Sequence, residues 1–264
     1  MPSVTLDQDA INARVYHAPD VTREYRSDTL TRAEALTLLR YHDAFAGRDV
    51  LDIGVGTGRT SVYLAPLASR YEGIDYSPVM VAHVQRHLPG VSVRLADMRD
   101  LSAFGTASFD FVFASNNVVD AVDGDGRLRT FQEVGRVLRD GGWFVFSSHN
   151  RHWTDALRPP HPEWSPNPAR EVLHLARWLK QVGNHARVGS AREVHAEHAL
   201  LNDGGHDYAC LHYYTSQRHA RAQAFEAGFE VADVFDWLGA PVFPAELAPD
   251  SPWLMFSARK RPRL

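Results

Sequence analysis

The chain of 264 residues has one cysteine, Cys210. It can form neither an intrachain disulfide nor a cysteine-based zinc cluster. It also lacks any run of about 18 apolar residues, so no membrane-spanning helix and no membrane partner are expected. A basic excess is missing too: the formal net charge is -4. Surfaces that track nucleic-acid phosphates need clustered cations, so nucleic acid is not an expected partner. Arginine supplies nearly all the positive charge, which leaves room for a local basic patch. The start of the chain, Met1-Pro2-Ser3-Val4-Thr5-Leu6-Asp7, has none of the basic-then-apolar pattern of a signal peptide, and a cytoplasmic location is expected. Fourteen histidines are scattered without a His-Glu-x-x-His pattern; the pairs His195/His198 and His206/His212 come nearest to clusters. No metal site is expected from them.

What remains is an ordinary globular composition, 44% hydrophobic and 23% charged, enough for an α/β domain with insertions. From residue 48 to 149, short apolar runs alternate with helix-like stretches, the pattern of a parallel sheet with crossover helices. Strands are expected at Asp49–Ile53, Tyr71–Asp75, Val91–Leu95, Phe109–Ala114 and Trp143–Ser147. Helices are expected at Thr60–Ala68, from Pro78 behind a Ser77 cap, and at Arg127–Leu138 before the break Asp140-Gly141-Gly142. Residues 151–168 hold five prolines and read as an irregular loop. Ala169–Val182 has helical spacing that places Val172, Leu175, Ala176 and Leu179 on one face. Glu193–Leu201 and Asp207–Tyr214 flank the turn Asn202-Asp203-Gly204-Gly205 and predict a hairpin. Period-two alternation would put Tyr208, Cys210, His212 and Tyr214 on one of its faces. A helix over Ser216–Ala227 and strands at Phe229–Trp237 and Trp253–Arg259 close the chain.

The chemistry-bearing stretch is Val50-Leu51-Asp52-Ile53-Gly54-Val55-Gly56-Thr57-Gly58-Arg59. A strand entering a glycine turn and then a helix lets a ligand reach the backbone and the helix N–H groups. Dinucleotides and S-adenosylmethionine both use such a turn. The dinucleotide fingerprint G-x-G-x-x-G wants glycine where Arg59 stands. Asp52 is placed to organise the turn and face the methionine end. Asp75, ending the second strand, can take both ribose hydroxyls. Asp97, after the third strand, can take the adenine amine beside Met98, which suits S-adenosylmethionine rather than a dinucleotide.

Val50–Arg59, Glu72–Met80, Leu95–Leu101, Phe109–Asn117 and Leu138–Phe146, taken in order, resemble the successive motifs of class I S-adenosylmethionine-dependent methyltransferases. The likeness covers roughly residues 45–150. It implies a doubly wound, mostly parallel seven-stranded α/β sheet and S-adenosylmethionine as cofactor. It further implies that Gly54, Gly56 and Gly58 border the cofactor, that Asp75 holds the ribose and that Tyr76 and Met80 lie beside the adenine. Asp97 and Met98 would stand at the other adenine edge, with Ser115 and Asn116 at the amino-acid portion. Val55 stands where the family often has Cys or Ala.

Residues 1–45 read as an N-terminal helical segment or lid, residues 46–264 as the cofactor domain and residues 151–214 as an insertion covering the substrate. Tyr16 and Tyr25, with Arg14 and Arg26 nearby, can contact the cofactor from the lid. After strands four and five, His149, Asp120 and Asn117 are the catalytic candidates. His149 would serve as a base and Asp120 as a partner for an ammonium group. Asn150, His212 and Tyr214 are the substrate candidates. The Asn/Asp-Pro-Pro-Tyr/Phe motif of base and glutamine amino methylation is absent after strand four. The resulting expectation is methyl transfer to N or O of a small molecule. One alternative consumes S-adenosylmethionine itself, by intramolecular cyclisation; a nicotinamide oxidoreductase and a non-catalytic binding protein stand behind it. A homodimer through the hairpin is left open.

Overall fold

The computed structural model describes residues 7–23, 25 and 29–262; Arg26 and residues 1–6 lie outside them. In chain order the elements are α1 (Gln8–Tyr16), α2 (Arg32–Arg40), α3 (His42–Phe45), β1 (Asp49–Ile53), α4 (Ser61–Leu64), β2 (Arg70–Asp75), α5 (Pro78–His87), β3 (Val93–Leu95), β4 (Phe109–Ala114), α6 (Gly124–Val137), β5 (Leu138–Asn150), α7 (Pro168–Val188), β6 (Glu193–Val194), β7 (His198–Leu201), β8 (His212–Thr215), α8 (Gln217–Glu226), β9 (Phe229–Phe235) and β10 (Trp253–Lys260).

The central sheet runs β3-β2-β1-β4-β5-β10-β9. The first five strands are parallel, and β10 lies antiparallel to both of its neighbours. This is the expected seven-stranded doubly wound sheet. Alternation along the strands divides the core into two layers. Phe111 and Phe113 of β4 pack with Leu38 and Phe45 beneath α2 and α3. Val112 and Ala114 face the other way, onto Phe131 and Val134 of α6. Local signals set the helix starts: Ser77 accepts the Met80 N–H and is followed by Pro78, and Asp123 caps α6.

The insertion departs from its expected form in three ways. β8 adds parallel to the end of β5, pairing His149 with Tyr214 and Asn150 with Thr215, and β7 and β6 follow it, so ten strands share one sheet. The return strand of the hairpin starts at His212 instead of Asp207, because His206, Asp207 and Tyr208 have φ of 48°, 53° and 63°. That left-handed backbone cannot continue a ladder, so Tyr208 and Cys210 leave the face that His212 and Tyr214 keep. Helix α7 turns its polar side inward: Arg177, Lys180 and Gln181 bind Asp207. Val172, Leu175 and Leu179 remain 68%, 51% and 58% exposed, so their shared face meets no core. Among the described residues, no helix is long and apolar enough to cross a membrane.

Candidate active site

The glycine turn leaves β1 at the carboxyl edge of the sheet, where open parallel sheets bind ligands. Gly54, Gly56 and Gly58 all have positive φ. Gly54 and Gly56 line a cavity of about 440 Å³. Gly58 does not line it; a Cβ there would meet Leu88 Cδ1 at 2.5 Å, so its bare backbone permits close packing at the end of α5. Asp75 receives the Gly56 N–H at 2.9 Å and the Ser77 N–H at 2.8 Å. Burial raises its carboxyl pKa, and those two N–H groups partly offset the rise.

A second, mostly apolar cavity of about 200 Å³ lies on the other side of Asp75, bounded by Ile53, Ile74, Asp97, Met98 and Val122. The two cavities share Gly54, Asp75, Tyr76, Val118 and Ala121 as walls. An elongated ligand with a polar middle can therefore run through both, its centre at Asp75. Among the described residues, the Tyr76 hydroxyl and the Asn117 Oδ1 are buried there without a hydrogen-bond partner, as suits polar atoms kept for a ligand. Asn116 and Asn117 sit at φ 53° and 58°, a strained backbone of the kind that clusters at functional sites. Asp97 lines the second cavity but is held by Arg99, which also reaches Asp9 of α1. Burial opposes its ionisation, and the Arg99 contacts outweigh burial and lower its pKa.

The far end of the larger cavity is built from histidines and acids. His149 Nδ1 lies 2.8 Å from Asp120 Oδ2. A carboxylate only accepts, so Nδ1 carries a proton toward Asp120, and Nε2 is the ring nitrogen left on the cavity side. Asp120 is fully buried; Arg127, the Ser148 hydroxyl and the His149 N–H also donate to it. Arg127 is itself fully buried, and burial lowers its pKa against the pull of Asp120. Across the cavity, His212 Nδ1 lies 3.2 Å from Asp203 Oδ2, and the Tyr214 hydroxyl donates to the same oxygen at 2.6 Å. Burial opposes charge on both partners, yet their mutual attraction wins. The Asp203 carboxyl is held well below the carboxylate range and the His212 imidazole well above its ordinary value. Tyr16 meets His212 Nε2 at 3.2 Å, and Tyr25 meets His206 at 2.7 Å.

Tyr16, Tyr25, Tyr76, Met80, Ser115, Asn116, Asn117, His149, His212 and Tyr214 thus line the larger cavity, and Met98 the smaller. Besides Gly58, three candidates stand off the cavities. Asp52 accepts from Thr60 and Tyr71 beneath the turn, buried enough to raise its pKa to about 6. It braces the turn and does not reach the methionine end. Asp120 is closed to an ammonium group by its four donors, one of which is His149 Nδ1. Asn150 is saturated by the backbone oxygens of Leu247, Ala248 and Ser251, so it anchors a loop. Sequence reasoning missed Asp203, read as turn chemistry, and Trp153 and Trp253 on the cavity wall. It also missed Arg59, which pairs with Glu34 through both guanidinium nitrogens. No local signal marks Asp203; only the docking of β8 on β5 brings it to His149.

Residues 50–142 match the family model described as a methyltransferase domain. A "Probable S-adenosylmethionine-dependent methyltransferase" of Mycolicibacterium smegmatis is 37% identical over 106 residues, 40% of this chain and 40% of that protein. The chain thus spans about two-fifths of that relative's length. A demethylmenaquinone methyltransferase of Beutenbergia cavernae is 30% identical over 190 residues, covering 68% of this chain and 71% of the relative. The chain belongs to the class I S-adenosylmethionine-dependent methyltransferases. A solved Burkholderia thailandensis 1,6-didemethyltoxoflavin-N1-methyltransferase, with bound 1,6-didemethyltoxoflavin and S-adenosylhomocysteine, shares the fold at a TM-score of 0.59. The two are 16% identical, and the likeness covers 96% of this chain and 87% of that one. The cofactor of this methyltransferase family is S-adenosylmethionine, and the paired cavities joined at Asp75 fit its three-part shape.

Proposed function

We propose that the protein transfers the S-adenosylmethionine methyl group to an oxygen or nitrogen of a small molecule held in the larger cavity. Asp75 would hold the ribose, Met98 and Asp97 the adenine, and the glycine turn with Ser115 and Asn116 the methionine portion. When bound, the cofactor supplies an electrophilic methyl on a positively charged sulfur, so the protein's work is alignment and exclusion of water. Tyr16 and Tyr25 from the N-terminal segment and Trp153 from the insertion wall the cavity, which supports a compact acceptor. The 1,6-didemethyltoxoflavin bound by the Burkholderia N1-methyltransferase supports the same class.

The observation that carries this reading is the His149 ring on the wall of the larger cavity, which Asp120 holds through Nδ1 so that Nε2 is left to meet an acceptor. It prepares the acceptor atom for attack, with Asp120 as its positioning residue and Asn117 holding a polar group of cofactor or acceptor. Calorimetry of the intact chain should show S-adenosylhomocysteine binding and no NAD binding. His149→Ala should lower kcat for methyl transfer by about 10²–10⁴-fold, the usual worth of a positioned acid or base. Its S-adenosylhomocysteine affinity should stay within a few-fold of the parent. Mass spectrometry without acceptor should return unchanged S-adenosylmethionine; accumulation of a cyclised product would replace this reading by the intramolecular one. We also propose a homodimer through the outward face of α7, where the exposed residues 172, 175, 179 and 182 repeat at intervals of three and four.

A further inference from the structure

His149, Asp203 and His212 come from the end of β5, the connection before β8 and the first residue of β8. Each offers one ligand atom, and the three atoms lie within 4.8 Å of one another. We propose that they bind a divalent cation, and that the acceptor is an oxygen compound, such as an alcohol, phenol or enol, that completes its coordination. This inference rests on the larger cavity being the acceptor site and names how His149 prepares the acceptor atom.

Three observations carry it. First, with His149 Nδ1 held by Asp120, Nε2 is the ring nitrogen turned toward Asp203 Oδ2, at 3.9 Å. That separation is beyond hydrogen-bond reach, and a cation between the two atoms would join them through two bonds. Second, the spacing fits. Bonds of about 2.0–2.2 Å from a metal such as zinc to His nitrogen and carboxylate oxygen set neighbouring ligand atoms roughly 3–3.5 Å apart. His212 Nδ1 already stands 3.2 Å from Asp203 Oδ2, and a small rotation of the His149 ring closes the remainder. Third, every ligand is held from behind. Asp120 orients His149, the Tyr16 hydroxyl meets His212 Nε2 at 3.2 Å, and the Gly205 N–H and Tyr214 hydroxyl fix the two Asp203 oxygens at 2.9 and 2.6 Å. Metal-binding histidines almost always have such an outer partner. Three protein ligands also leave coordination positions open toward the cavity, the arrangement of catalytic rather than structural sites.

The chemistry balances. The cation takes the place of the proton that His212 Nδ1 shares with Asp203, and that proton goes to solvent. A hydroxyl acceptor bound to the cation sheds its own proton to solvent more readily. Its oxygen then attacks the methyl carbon: the oxygen–carbon bond forms, the sulfur–carbon bond breaks, and the sulfur keeps the electron pair in neutral S-adenosylhomocysteine.

The test is calorimetry and visible absorption of the full chain, stripped of metal with EDTA and titrated with Co²⁺ or Zn²⁺ alone. The expected result is one ion per chain, with the ligand-field absorption of bound Co²⁺. Binding should be lost in His212→Gln, Asp203→Asn and His149→Gln, and weakened by about 10–100-fold in Asp120→Asn. S-adenosylhomocysteine affinity, measured in each variant, shows that the chain is folded and the cofactor site intact. Methyl transfer to a hydroxyl acceptor should stop in EDTA and return with the ion. Equal ion affinity in the parent and the variants, or no binding in any, overturns the cation. If His149-dependent transfer then persists in EDTA, His149 takes the acceptor proton directly and the proposed function stands. Failure of the parent chain to bind S-adenosylhomocysteine would instead remove the reading beneath both.

Discussion

Gly54 and Gly56 both carry positive φ, yet they should respond differently to a methyl group. A Cβ on Gly54 would stand 2.2 Å from Val118 Cγ2, whereas one on Gly56 meets nothing within 4 Å. Gly56→Ala therefore carries the left-handed backbone cost alone, about 1 kcal/mol. Gly54→Ala adds a steric clash with a wall of both cavities and should cost about 2–4 kcal/mol. It should also weaken S-adenosylhomocysteine binding. Matching urea midpoints for the two variants would contradict this account. The Asp203–His212 pair makes a second residue-scale prediction, for metal-free protein. Asp203 titrates lower in the folded chain than unfolded, so its contribution holds above about pH 4 and fades as pH falls through the folded value. His212 titrates higher, so its contribution is complete below about pH 6.5 and is lost as pH rises through its folded pKa. The stability gap between the parent and Asp203→Asn should be widest at about pH 4–6.5 and narrow toward alkaline pH. A stability gap that stays unchanged from about pH 6 into the alkaline range would refute the ion pair. Cofactor-side residues were legible because glycine turns and strand-end acids act within a few residues of each other. Asp203 was not, because its role depends on partners from another strand.

At the scale of elements, β1 and β4 run over the residues expected of them, since a buried strand announces itself by an apolar run between turn signals. Helix α7 shows where periodicity falls short. Its apolar stripe was legible, but a stripe records that a face is to be covered, not by what. The ion-paired side holds the loop around Asp207 within the same insertion, and the stripe looks outward. Leu175→Glu with Leu179→Glu should convert a dimeric parent into a monomer by sedimentation velocity. S-adenosylhomocysteine affinity should not change, because neither side chain reaches a cavity. A monomeric parent at the same concentration would remove the dimer.

Across the whole molecule, the cavity walls around the glycine turn and Asp75 were readable because sequence neighbours are spatial neighbours through β1, β2 and β3. The acceptor half joins β5, β8, β10 and the N-terminal segment, contacts that span up to some two hundred residues. Gln8 and Asn12 of α1, for instance, both donate to the Leu211 carbonyl. Such pairings depend on the packing of the complete chain and leave no short-range mark.

The seam between the insertion and the central sheet is narrow: β8 meets β5 in two residue pairs, whereas β10 meets it in seven. One of those two rungs is His149 itself, opposite Tyr214. The insertion contributes Asp203, His212 and Tyr214; the sheet contributes His149 and Asp120. Breaking those two rungs would part His149 and Asp120 from Asp203, His212 and Tyr214. The proposed site is therefore whole only while the insertion is docked, and two strand pairings tie its chemistry to the fold.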